Sequence, residues 1–113
     1  MSEYQSGKHY EAQLTFLLSQ LNYDLTSGRL SALDTLNALV TAMPPDRLSN
    51  LSGLIFIPTC AVLVNDDDPL CRQVAAKTIK SLLNRLDHAG RESMLAIVVA
   101  WFKDGKVSRH LIA

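Results

Sequence analysis

Leu14, Leu17, Leu18, Leu21 and Leu25 recur at spacings of three and four, which places them on one stripe of a helix over residues 9–25. Thr26-Ser27-Gly28 breaks that pattern. A second stripe of Leu33, Leu36, Leu39, Val40 and Met43, flanked by Ala32, predicts a helix over 29–43 that Pro44-Pro45 ends. Residues 47–64 read as a third helix with Asp46 as its cap. Gly53 and Pro58 penalise that helix, and Ile55-Phe56-Ile57 would also suit a short strand. The expectation is a helix in two pieces, bent at Pro58. Asp68 and Pro69 then open a fourth helix over 69–86, a carboxylate cap followed by proline at the first helical position. It carries Val74, Ala75, Ile79, Leu82, Leu83 and Leu86 on its apolar side, and Lys77, Lys80, Ser81 and Asn84 on the other. Helices over 91–102 and 107–113 follow, parted by Asp104-Gly105-Lys106, while residues 1–8 read as a disordered tail.

The pattern repeats. A shift of 43 lays Arg29, Ala32, Leu36 and Leu39 on Arg72, Ala75, Ile79 and Leu82, and a further 37 carries Arg72, Ala75 and Ala76 onto Arg109, Ile112 and Ala113. Periods of this length mark stacked supersecondary units. The fold class is therefore all-α, an α-solenoid of about two and a half helical hairpins, with units near 9–43, 47–86 and 91–113.

Composition agrees, with 19 Leu and 11 Ala against 3 Phe, 3 Tyr and 1 Trp, which excludes a β-sandwich or barrel. Zero net charge removes any whole-chain argument for nucleic acid, yet it hides a step. Residues 1–71 carry 3 basic and 8 acidic side chains, and residues 72–113 carry 8 basic and 3 acidic. Such a step suits end-to-end packing or a polyanion beside the C-terminal half, and solvated helix faces are the other reading. Cys60 and Cys71 sit in apolar helical stretches and fit packed thiols of a reducing compartment. No signal-peptide core opens the chain and no uninterrupted apolar run approaches 18 residues, so an intracellular protein without a membrane span is expected.

Candidate chemistry is sparse. Asp66-Asp67-Asp68 could suggest a divalent cation, but an EF-hand counted from Asp66 would need Gly and Glu where Cys71 and Lys77 stand, and helix capping accounts for the run. His9, His88 and His110 lack metal-ligand spacing, and Ser6-Gly7-Lys8 is too short for a phosphate loop. No catalytic, cofactor-binding or metal residue is therefore assigned, and no cofactor. Lys77, Lys80 and Arg85 are the candidate RNA contacts, because clustered cations suffice to touch phosphates. Trp101-Phe102, inside an apolar run, reads as core or an inter-unit contact.

Ile57-Pro58, the acidic turn Asn65-Asp66-Asp67-Asp68-Pro69 and Arg72 opening the next helix resemble a HEAT repeat. The resemblance implies a ladder of turn carboxylates and arginines, with Asp66, Arg72, Arg29 and Arg109 in those places. The stretch 23–34, with Thr78-Ile79-Lys80-Ser81-Leu82-Leu83, Trp101-Phe102 and Arg109-His110-Leu111-Ile112-Ala113, further resembles the very large HEAT-repeat scaffolds of the small-subunit processome component 20 family, small nucleolar RNA-associated. This resemblance covers residues 9–113 and implies a piece of a longer, non-enzymatic, nucleolar scaffold in small-subunit ribosome biogenesis and rRNA processing. Its implied partners are pre-ribosomal particle proteins and pre-rRNA, with no small-molecule substrate and no membrane. The alternative is a generic HEAT-type protein-interaction module.

Overall fold

The computed structural model describes residues 3–103, with side chains over 10–101 and at 103. Five helices follow one another: α1 (Glu3–Gln20), α2 (Thr26–Ala42), α3 (Pro45–Asn65), α4 (Pro69–Arg85) and α5 (His88–Lys103). There is no strand among the described residues, and the all-α class is therefore what the chain forms. The sixth helix expected over 107–113 lies outside the described residues.

Several helix ends differ from the sequence expectation. Residues 3–8 belong to α1 rather than to a disordered tail, and α1 stops at Gln20, five residues short of Leu25. Thr26-Ser27-Gly28 is not a break but the first turn of α2. At α3, Pro44 holds the cap position, Pro45 opens the helix and Asp46 lies within its first turn, so Asp46 is not the cap. α5 begins at His88, because the Asp87 carboxylate accepts the Gly90 N–H at 2.8 Å and caps it early.

α3 runs unbroken through Pro58, and Ile55-Phe56-Ile57 is helical. Packing along one face explains why helix wins over strand here: Leu48, Ile55, Phe56 and Val62 fall on a single helical face and are all buried. Ser52 and Thr59 are buried too, and their hydroxyls donate to Ser49 O at 2.9 Å and Ile55 O at 2.6 Å. Neither is left unsatisfied. By length and composition alone α3 could cross a membrane, since its best window has a mean hydropathy of 1.6. In this fold it is instead the central helix, in contact with α1, α4 and α5.

Within hairpins α1 packs on α2 and α3 on α4; between them α1 meets α3, α2 meets α4 and α3 meets α5. The contacts arrange α1, α3 and α5 in one layer and α2 and α4 in a second. The shortest dimension, 19 Å, matches two layers of helices packed about 8–10 Å apart. Leu14, Leu33, Leu36, Val40, Leu48, Ile55 and Leu82 form the sealed centre between them. Fully burying each such side chain contributes roughly 1.5–3 kcal/mol. The two helices of the second layer also share a frame. Each has 17 residues, α2 starting at 26 and α4 at 69, α2 ending at 42 and α4 at 85, an offset of 43 at both ends.

Candidate functional site

The polar centre of the molecule is the turn between α3 and α4. Asp66 follows the end of α3, and its Oδ1 accepts the Asp68 N–H at 2.9 Å, which tightens the turn. Asp68 is the N-cap of α4, its carboxylate accepting the Cys71 N–H at 3.3 Å, and Pro69 occupies the first helical position. Arg72, one turn in, donates back to Asp66 O at 2.7 Å.

Arg29 joins this turn to the first hairpin. Its Nε donates to Asp66 Oδ2 at 2.9 Å, and its Nη2 to Asp66 Oδ1 and Asp67 Oδ1, both at 3.2 Å. Its Nη1 donates to Tyr23 O at 2.9 Å and Asp24 O at 3.1 Å, the carbonyls of the α1–α2 turn. One planar guanidinium thus holds two turns, reaching Asp66 37 residues further along the chain, by a fork that lysine could not reproduce. The Asp66 side chain is only 5% exposed whereas that of Asp67 is 92% exposed, so Asp66 is the partner that matters. Burial alone would raise the Asp66 carboxyl, but Arg29 and the Asp68 N–H outweigh it and hold the group below its ordinary value. The hydrogen bond to Asp66 correspondingly raises Arg29.

Gly28 makes room for this arrangement. A Cβ at that position would approach Tyr23 Cδ2 to 2.5 Å, so the first turn of α2 can lie against the Tyr23 ring only as glycine. Beside the ring opens a groove of about 530 Å³, lined by Leu18, Tyr23, Arg29, Pro58, Asn65 and Asp66 among others.

The candidate RNA contacts do not form one set. Lys77 and Lys80 are exposed on α4. Arg85 has a second engagement: its Nη1 donates to Val40 O at 2.7 Å and Met43 O at 2.6 Å at the end of α2. Both bonds use Nη1, which leaves Nε and Nη2 of this half-buried side chain as its remaining donors, and an RNA contact by Arg85 stays a proposal beside Lys77 and Lys80. Nothing in its own segment signals the bonds to α2; the signal is Pro44-Pro45, which leaves α2 short of donors. Arg109 lies outside the described residues. Trp101 is half-buried and stacks on Phe56, with ring centroids 6.4 Å apart and planes 13° from parallel, so it joins α5 to α3. Burial pushes the thiols of Cys60 and Cys71 up to about 11, so both stay protonated at neutral pH and are poor nucleophiles. No group of three His, Cys, Asp or Glu that could hold a metal occurs among the described residues.

The arrangement is one of two turns tied by an arginine, with apolar hairpins behind them, and comparison with known proteins gives it a context. U3 small nucleolar RNA-associated protein 20 of Saccharomyces cerevisiae is 34% identical to the chain over 104 residues, 91% of the chain. The chain is a relative of that protein. The U3 small nucleolar RNA-associated protein 20 of Schizosaccharomyces pombe is 28% identical over 111 residues, 97% of the chain. The chain spans about 4% of the length of each of these U3 small nucleolar RNA-associated proteins. No family model matches it.

Proposed function

We propose that the chain is a non-enzymatic scaffold segment, a HEAT-like stretch of α-solenoid acting in small-subunit ribosome biogenesis and pre-rRNA processing. The observation that carries this reading is the alignment of nearly the whole chain with a protein named for its association with U3 small nucleolar RNA. The geometry supports it. Two hairpins stack in a common frame, Arg29 ties the Asp66 turn to the turn before it, and Arg72 braces the Asp66 turn from within. In such an array binding energy is spread along a repeating surface instead of being concentrated in one cleft. Its partners are proteins of the pre-ribosomal particle and pre-rRNA, in the nucleolus, with no small-molecule substrate and no membrane. Lys77 and Lys80, exposed on α4, and the half-buried Arg85 supply the phosphate contacts.

The test uses a tagged full-length protein containing this segment. It should concentrate in the nucleolus and co-purify with U3 small nucleolar RNA and pre-ribosomal particles. Recovery from the cytosol alone, absent from those particles, would leave a generic protein-interaction module.

A further inference from the structure

α2 ends in a way that its own chain cannot close. The last carbonyls of any helix lack intrahelical donors, and the usual remedy is the N–H groups of the two residues after the cap. Met43 is the cap, in an extended conformation, and its own N–H serves Leu39 O. The next two residues are Pro44 and Pro45, and neither has an N–H. Val40 and Met43 are both sealed from solvent, which restricts water as a substitute donor. Arg85, in the last turn of α4, brings its Nη1 to 2.7 Å from Val40 O and 2.6 Å from Met43 O. A cation at a helix C-terminus is also favoured by the aligned peptide dipoles.

We propose that Arg85 is a latch between the hairpins: the second hairpin donates the cap that Pro44-Pro45 denies to the first, so the last turn of α2 stays closed only while α4 is docked. Coupling between the hairpins then has two attachments on opposite ends of α2, Arg29 at its start and Arg85 at its finish. The Arg85 attachment differs in kind, because it acts on main-chain carbonyls and needs no particular side chain in the partner helix. It depends instead on two prolines 40 residues earlier in the chain.

Amide hydrogen exchange on the full chain, residue by residue, tests this. Arg85→Met should speed exchange at residues 41–43 by about tenfold or more, the scale of one charge-assisted bond, and leave α1 near its wild-type rates. Arg85→Lys should restore most of the protection. A Pro44→Gly, Pro45→Ala variant gives residue 44 an N–H able to reach Val40 O in a left-handed closure. In that background Arg85→Met should lose most of its effect. An equal acceleration throughout the chain, no acceleration at 41–43, or a full effect persisting in the glycine background would each overturn the latch. Should Arg85→Met not fold, Arg85→Gln, too short to reach both carbonyls, compared in the proline and glycine backgrounds reads the same coupling.

Discussion

Thr35 and Thr78 hold the same place in α2 and α4, 43 residues apart, and each donates its hydroxyl to the carbonyl four residues back. Thr35 is exposed; Thr78 is 0% exposed. The reverse holds across the helix, where Leu33 is sealed and its counterpart Ala76 is open to solvent. Each of these two helices has its own hairpin partner, and among the described residues the neighbouring hairpin follows α2 and precedes α4. The positions buried only in α2 therefore face onward along the chain, and those buried only in α4 face back. Equivalent residues thus differ in burial between the two helices, and among the described residues Ala76 and Lys80 on α4 are exposed and Leu83 is half-buried.

The strongest way to break this comparison is at the sealed leucine. Leu33→Ala should cost about 2–5 kcal/mol in chemical denaturation, the range for a cavity in a packed core. Ala76→Leu, at the matching open position, should change stability by no more than about 0.5 kcal/mol. Comparable losses at both sites would mean that the two faces are not distinguished as described.

Next come the turn residues. Arg72→Ala removes a charge-assisted bond to Asp66 O and should cost roughly 1.5–3 kcal/mol, against about 0.5 kcal/mol or less for Lys80→Ala. Acid titration sharpens the same point. Asp66 is held below its ordinary value, so its contribution is fully present above the unfolded carboxylate value of about 3.9 and is lost as pH falls through the lower folded value. Asp66→Asn should flatten the stability curve below about pH 4 relative to the native chain. An unchanged acid limb would remove Asp66 from its place at the centre of the turn.

The smallest effect concerns the caps, where the two helices differ again. Asp68 caps α4 with its carboxylate, whereas Leu25, in the same position before α2, makes no side-chain cap bond and is 60% exposed. Asp68→Ala should cost about 0.5–2 kcal/mol, and Leu25→Ser should gain a few tenths to about 1 kcal/mol in thermal denaturation. A loss on Leu25→Ser would show that the leucine contributes packing despite its exposure.

Apolar stripes were legible in the sequence because leucines at three- and four-residue spacing leave little choice of period. Helix ends were not. Thr26-Ser27-Gly28 looks like a break by propensity, yet it opens α2, where Gly28 leaves room for the Tyr23 ring. The Arg72 and Asp68 contacts are local, within a few residues of the acidic turn, and such contacts can be anticipated from spacing. Arg85 could not be placed that way. Its polar neighbours suggest a solvated face, while its partners lie 42 and 45 residues away.

The stack of Trp101 on Phe56 also has an optical use. The chain has one tryptophan, and that indole sits at the seam where α5 meets α3. Its emission therefore reports on a single junction. Separation of α5 should shift the emission to longer wavelength while most of the helical circular dichroism signal remains, so a spectrometer can watch the edge of the array open before its centre melts.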